Sequence, residues 1–125
     1  MNLSTVRPIS PQERSIIDRL LEPQFPGRDE ILTQIEKAQV SQIDEDGSLR
    51  FFPPSTPYAT VLERVPVEGS ALDEDGYRIN FLLHVNKGFI AELEIYKDDD
   101  SPIKKMPAPD QIEVVTFPPC PPAFF

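Results

Sequence analysis

The 125-residue chain has one cysteine, one histidine and no tryptophan, and these scarcities narrow the classes of protein it can belong to. A single thiol, Cys120, cannot close a disulfide within the chain, so a reducing, cytoplasmic setting is expected. No apolar run reaches the roughly 18 residues that suggest a membrane helix. The first residues, MNLSTVRPIS, lack the apolar segment of a secretory signal. We therefore expect a cytoplasmic protein with no membrane partner.

Recognisable catalytic motifs are also missing from the sequence. Cys120 lies in a proline-rich tail with no histidine near it in sequence, and no serine lies in a nucleophile elbow. The five glycines are scattered, which excludes a phosphate-cradling loop. An EF-hand calcium loop is also excluded. If Gly47 is the loop glycine, the position of the required glutamate holds Pro53, and if Gly76 is the loop glycine, that position holds Leu82. The sequence thus indicates no catalytic residue, no cofactor and no metal ion.

Negative charge is plentiful and unevenly placed. Twelve basic and 21 acidic residues give a formal net charge of −9. Binding to phosphate backbones relies on lysine and arginine, so nucleic acid is not an expected partner. The net charge of −9 equals the charge of three acidic triplets, each of which holds three carboxylates. The triplets are Asp44, Glu45 and Asp46; Asp73, Glu74 and Asp75; and Asp98, Asp99 and Asp100.

Hydrophobic periodicity predicts helices first and strands afterwards. Ser10, Pro11 and Glu13 have the spacing of a helix start with a capping box, and a second helix is expected after Pro26-Gly27. Beyond residue 38, β-branched and aromatic residues predict five strands. These strands span 39–43, 48–52, 59–68, 77–85 and 89–97. The expected fold is α+β, with two N-terminal helices packed on one face of a roughly five-stranded antiparallel meander.

Two registers are conceivable for the hairpin formed by the last two predicted strands. A two-residue loop would pair Val85 with Ile90 and mix the polar and apolar faces. A three-residue loop, Asn86-Lys87-Gly88, pairs Val85 with Phe89 and keeps both apolar rows on one face. The three-residue loop is therefore the predicted one.

The predicted meander places all three acidic triplets at one end of the sheet, because successive loops of a meander fall at alternate ends. Such clustering costs free energy through like-charge repulsion, and a basic protein partner would relieve it. All nine acids are therefore candidate partner-binding residues. The competing interpretation is that the triplets are only solvated turns, since Asp-Gly is itself a strong turn signal.

A second candidate site lies on the polar face of the same predicted hairpin. His84 is expected to share this face with Arg78, Glu92, Glu94 and Tyr96. A histidine and a glutamate together can act as acid and base, or can hold a metal ion. The competing interpretation is an ordinary solvated sheet face, where such residues are common.

Composition changes near residue 107. Residues 1–107 are predicted to form a single α+β domain, and residues 108–125 a proline-rich C-terminal extension. Within the extension, 112–117 has the pattern of a short edge strand. The ending PPCPPAFF is expected to be extended or disordered, or to dock as a ligand on a partner. A homodimer formed through a sheet edge or through this tail is a further possibility.

Three stretches of the sequence resemble a bacterial family of small proteins classified only as a domain of unknown function. The first is RPISPQERSIIDRLL, which resembles the N-terminal helix of that family, and the second is DEDGSLRF, which resembles its first hairpin. In the third, a strand ending at 92–97 is followed by the acidic turn 98–100 and by Ser101-Pro102-Ile103. The resemblance covers most of residues 7–107. It implies a small cytoplasmic α+β domain and supplies no activity or catalytic residue.

The function predicted from these observations is that of a non-enzymatic, acidic protein-binding module. An immunity-type inhibitor of a basic toxin, or of another basic protein, would fit its size and charge. Two alternatives stay open at this point. One is a small hydrolase-like or metal-dependent enzyme that uses His84, Glu92 and Glu94; the other is a structural homo-oligomer.

Overall fold

The computed structural model describes residues 5–117 and shows an α+β fold with two helices and one seven-stranded antiparallel sheet. The helices are α1 (Pro11–Leu20) and α2 (Arg28–Lys37), and a short 3-10 helix spans Pro109–Gln111. The strands are β1 (Arg7–Pro8), β2 (Gln39–Gln42), β3 (Leu49–Phe52), β4 (Val67–Leu72), β5 (Arg78–Asn86), β6 (Phe89–Lys97) and β7 (Glu113–Thr116).

The start of α1 forms as the sequence predicts. Ser10 Oγ accepts a hydrogen bond from the Glu13 N–H, and the Glu13 carboxylate accepts one from the Ser10 N–H. Arg7 also pairs with Glu13 at 2.8 Å, and this contact holds the pKa of Glu13 below its ordinary value. The capping box is therefore confirmed, and the salt bridge ties β1 to the first helix.

The order of strands in the sheet is β1-β2-β3-β6-β5-β4-β7, which corrects the prediction of a five-stranded meander. Strand β6 pairs with β3 on one side and with β5 on the other, so the β2–β3 hairpin is joined to the β4–β5–β6 meander through β6. The strands β1 and β7 form the two edges. Both are very short, which explains why alternation alone did not predict β1.

The predicted strand 59–68 is wrong, because most of that segment is irregular and β4 begins only at Val67. Gly69, taken from the sequence as part of a loop, instead lies inside β4. A Cβ at this position would lie 2.6 Å from Leu20 Cδ2 and 2.7 Å from Ile112 Cγ2. The glycine is thus needed for close packing of α1 and the C-terminal segment on the sheet, rather than for a turn.

The β5–β6 hairpin uses the two-residue loop that the sequence argument rejected. Lys87 and Gly88 both have positive φ, 52° and 87°, as a type I′ turn requires. Val85 therefore pairs with Ile90, but the register then shifts, so that His84 pairs with Glu92 and Leu83 with Leu93. Ala91 is the extra residue of this β-bulge. The bulge restores both apolar rows to the core face, a solution that strict alternation does not anticipate.

A single hydrophobic cluster joins both helices to the sheet. Its fully buried members include Ile17 and Leu20 of α1, Ile31 of α2, and Phe81 and Leu83 of β5. Gln34 is also buried, and its amide donates to the carbonyls of Pro57 and Gly88. These bonds anchor α2 to the β5–β6 turn.

Neither α1 nor α2 has the length and apolar character of a membrane-spanning helix.

The fold continues past residue 107, where the sequence placed a domain boundary. Strand β7 pairs with β4, and Ile112 is fully buried in the core. Residues 113–116 of the predicted extension therefore belong to the sheet, the short 3-10 helix Pro109–Gln111 precedes them, and the predicted edge strand at 112–117 is confirmed as β7. The ending PPCPPAFF lies at 118–125, outside the described residues, so the predictions made for it stay untested.

Candidate functional site

The three acidic triplets lie at the same end of the sheet. All neighbouring strands are antiparallel, so β2, β6 and β4, which are separated from one another by single strands, run in the same direction. Each of these three strands is followed by one of the triplets, at 44–46, 98–100 and 73–75. The three triplets therefore share one end of the sheet, as predicted, although the strand order differs from that of a simple meander.

Two of the triplets are open turns that add negative charge to the surface. Asp44 accepts a hydrogen bond from the Ser48 N–H, and Asp99 accepts one from the Ser101 N–H, as short acidic side chains do in turns. The pKa of Asp46 is raised by partial burial and then by the charges of Asp44, Glu45 and Asp100. The contribution of Asp100 shows that the first and third triplets are close enough to repel one another.

The second triplet has a different role, because two of its carboxylates are held by a buried lysine. Lys97 ends β6 with its side chain fully buried, and its Nζ lies 2.9 Å from Oδ2 of Asp73, whose side chain is also fully buried. Lys97 also donates a hydrogen bond to Asp75, whose side chain is 22% exposed. We refer to Lys97, Asp73 and Asp75 as the buried ion cluster.

Backbone groups complete the environment of Asp73. Its carboxylate accepts hydrogen bonds from the N–H groups of Lys104, at 2.7 Å, of Lys105, at 3.0 Å, and of Glu74, at 2.7 Å. Asp73 thus ties the β4–β5 turn to the segment that follows the third triplet. Among the described residues, no buried side-chain nitrogen or oxygen lacks a hydrogen-bond partner. The cluster therefore meets the condition under which buried charge is tolerated.

Proton affinities in the cluster follow from these contacts. Desolvation alone would raise the pKa of Asp73, but the Lys104 N–H and the Lys97 ammonium, with the other two N–H groups, lower it well below its ordinary value. The hydrogen bond from Lys97 lowers the pKa of Asp75. Desolvation likewise opposes the charge of Lys97, yet the two aspartates raise its pKa. All three groups are therefore charged at neutral pH.

The buried ion cluster corrects one part of the predicted partner-binding set. Asp73 is only 5% exposed and Asp75 is bound by Lys97, so neither carboxylate is free to meet a partner. The remaining exposed or half-buried acids form what we call the acidic end. It consists of Asp44, Glu45, Asp46, Glu74, Asp98, Asp99 and Asp100. Sequence reasoning missed Lys97, although its position two residues after Ile95 on the core-facing row was a signal of burial.

The second predicted site is partly assembled, on the face of the sheet opposite the core. His84 Nε2 lies 2.9 Å from Glu94 Oε1, and His84 pairs across the strands with Glu92. One candidate ligand atom from each of the three lies within 4.8 Å of the other two, and all three residues are half-buried. We refer to His84, Glu92 and Glu94 as the histidine site.

The other two members of that predicted set lie farther away. Tyr96 pairs with Asn80, and its pKa is raised by desolvation and by the charges of Glu94, Asp98 and Glu68. Arg78 lies six residues before His84 in β5, roughly 20 Å along the strand. It lines a groove between β4 and β7 instead. Sequence alternation grouped these residues correctly by face, but it could not group them by distance.

A comparison with protein-family models gives one match, to the family described as Domain of unknown function (DUF6984), over residues 6–107. The chain belongs to this family. The match confirms the resemblance to a domain of unknown function seen in the sequence. Comparisons with curated proteins and with solved structures found no match.

The DUF6984 match contains the acidic end, the buried ion cluster and the histidine site, since all their residues lie between 6 and 107. It stops short of β7, which nevertheless completes the sheet through its pairing with β4. The candidate sites are thus all within the part of the chain that the family describes, and the last strand lies outside it.

Proposed function

We propose that this DUF6984 protein is a non-enzymatic binding module whose acidic end meets a basic protein partner. The observation that carries the proposal is the convergence of β2, β4 and β6 on one end of the sheet, where their turns bring seven carboxylates together. Partial burial raises the pKa of Asp46, and the neighbouring charges of Asp44, Glu45 and Asp100 raise it further. A cationic surface would neutralise this charge, and it would be attracted from solution before contact.

The buried ion cluster supports this function by holding the surface in one conformation. Asp73 binds the N–H groups of Lys104 and Lys105, and Lys97 binds the turn between β4 and β5. These contacts restrain the segments on either side of the third triplet. A surface that is ordered before binding loses less conformational entropy when a partner docks, so more of the interaction energy contributes to affinity.

We further propose that the biological partner is a basic toxin or a similar basic protein that the module inhibits, as an immunity protein would. Small size and concentrated negative charge support this specific role. The charge also predicts the kinetic behaviour of the complex. Association should be fast at low ionic strength and should slow as salt screens the charge of the acidic end. The screening length is about 8 Å at physiological salt.

The proposal can be tested with a lysine hexapeptide as a probe and ¹⁵N-resolved NMR of the full chain. At an ionic strength of about 0.15 M, we expect the amide shifts to concentrate in the turns 44–47 and 98–101. The double variant D46N/D100N should weaken binding several-fold, because each change removes a charge from the acidic end. Asn also suits Asp100, whose φ is 61°.

The matched control is E36Q/E63Q, which removes the same charge from exposed positions away from the acidic end. It should change the affinity for the peptide much less than D46N/D100N does. Equal weakening by the two variants, or shifts spread evenly over the acidic surface, would show that only net charge matters. The proposed role of the acidic end would then be wrong.

A further inference from the structure

We infer that His84, Glu92 and Glu94 form a binding site for a divalent transition-metal ion such as Zn²⁺. Among residues 5–117, this is the one group of three or more histidine, cysteine or acidic side chains whose candidate ligand atoms converge. One imidazole and two carboxylates are a donor set that zinc accepts. The inference is independent of the acidic end and of any protein partner.

The geometry requires only a small adjustment for metal binding. Donor atoms about 2.1 Å from a tetrahedral zinc ion lie roughly 3.4 Å from one another. The three ligand atoms already lie within 4.8 Å, and His84 Nε2 is 2.9 Å from Glu94 Oε1. Rotation of the partly exposed glutamate side chains can close the remaining difference of at most roughly 1.4 Å. A bound ion would replace the proton that His84 and Glu94 now share in their hydrogen bond.

The backbone supplies a rigid base for these ligands. His84 and Glu92 are cross-strand partners on two long adjacent strands, and Glu94 follows Glu92 on the same face of β6. The β-bulge between His84 and Val85 adjoins the site, and bulges commonly reorient side chains next to functional sites. The bulge also creates the direct pairing of His84 with Glu92, which the register predicted from the sequence lacked.

Three protein ligands would leave a coordination position open to water or to a small anionic ligand, as in zinc sites that carry out catalysis. Space is present beside the site, since an open groove of about 350 Å³ is lined by Glu92, Arg50, Asn86 and Phe89. Arg50 pairs with Glu92 across β3 and β6, so a cationic side chain lines the same groove as this ligand. This arrangement suits an anionic molecule that binds the ion.

The site is separate from the acidic end. Glu92 and Glu94 lie five and three residues before Lys97 in β6, which places them roughly 17 and 10 Å from the end of the strand. The two regions can therefore be distinguished by mutation. His84 is also the one histidine of the chain, so its ring signals in an NMR spectrum are assigned without ambiguity.

The experiment is a titration of the full chain with Zn²⁺, followed by calorimetry and by the ring resonances of His84. It is carried out on wild type and on C120S, which removes the single thiol as an alternative ligand. We expect one ion per chain, with loss or displacement of the His84 ring signals, in both proteins. The variant E92Q/E94Q should weaken binding by about tenfold or more, since even indirect ligand contacts are worth 10–100-fold.

The control D46N/D100N removes the same charge at the acidic end and should leave the affinity for Zn²⁺ and the His84 response nearly unchanged. A second control is Mg²⁺, which prefers oxygen ligands and should leave the histidine ring unaffected. The inference is overturned if Zn²⁺ leaves the His84 ring unchanged, or if D46N/D100N weakens binding as much as E92Q/E94Q. Far-UV circular dichroism of both variants verifies that each is folded.

Discussion

The two copies of Asp-Glu-Asp-Gly have the same local structure and opposite electrostatic surroundings. In both, the glycine has positive φ, 98° at Gly47 and 85° at Gly76, and its N–H donates to the carbonyl of the first aspartate. Yet the pKa of Asp46 is raised, whereas the pKa of the equivalent Asp75 is lowered. The same four residues are thus a site of repulsion in one place and part of a satisfied ion cluster in the other.

The difference comes from a residue outside both turns. The β4–β5 turn lies beside the end of β6, where Lys97 is buried. Asp73 also accepts hydrogen bonds from the backbone N–H groups of residues 104 and 105. The β2–β3 turn has no such cation among its contacts in the described part of the chain; partial burial and neighbouring acids raise the pKa of Asp46 there. A local turn motif therefore does not determine whether its charges are available to a partner.

The largest effect should follow from removing the shared cation. Lys97→Met leaves Asp73 and Asp75 without their buried counter-charge, which is strongly destabilising. We expect the Tm to fall by roughly 10 °C or more. The control Lys105→Met removes an exposed lysine from the neighbouring segment and should change the Tm by at most about 2 °C. Equal changes in thermal unfolding would mean that the cluster does not stabilise the fold.

The equivalent first aspartates of the two turns should respond differently to the same substitution. Asp73→Asn replaces a carboxylate that accepts three hydrogen bonds and forms a salt bridge with Lys97, and it should lower the Tm by roughly 5–10 °C. Asp44→Asn keeps an oxygen for the Ser48 N–H and should stay within about 0.5 kcal/mol of wild type. A tolerated Asp73→Asn would show that the bonds to Asp73 do not stabilise the fold.

Acid should reveal the cluster through the pH dependence of stability. The pKa values of Asp73 and Asp75 are lowered from an ordinary 3.8, so their contribution is present above that value and is lost as pH falls through the native pKa. Lys97 has a raised pKa, so its contribution is complete below 10.5 and is lost at higher pH. Between pH 5 and 2.5, urea midpoints should fall more for wild type than for D73N/D75N. Parallel curves would contradict this assignment.

The smallest effect is expected in the open turn. Asp46→Asn removes a carboxylate that is partly desolvated and that its neighbours repel, so it should stabilise the protein by a few tenths of a kcal/mol at low ionic strength. The gain should shrink in about 0.5 M salt, where the repulsive part is screened. Asp75→Asn, at the equivalent position, should destabilise instead. Urea unfolding at two salt concentrations measures both changes, and the same sign for both would remove the distinction between the turns.

The sequence by itself determined the features that depend on neighbours a few residues apart. The capping box of Ser10 and Glu13 closes within one helical turn, and both Asp-Gly turns form where the tetrapeptides predict them. The common end of the triplets also followed from sequence, because it requires only that neighbouring strands be antiparallel. Likewise, alternation correctly placed His84, Glu92 and Glu94 on one face of the sheet.

Only the tertiary structure decided which charges are buried and which side chains meet. The register of β5 and β6 pairs Lys97 with Ile79 and so brings it to Asp73, 24 residues earlier in the chain, and the bulge at Ala91 aligns His84 with Glu92. Gly69 is likewise explained by Leu20 and Ile112, distant residues that pack where its side chain would be. Periodicity reports the face on which a residue lies, because it depends on the geometry of one strand. The partner on that face depends on strand order and register, which the packing of the whole core selects.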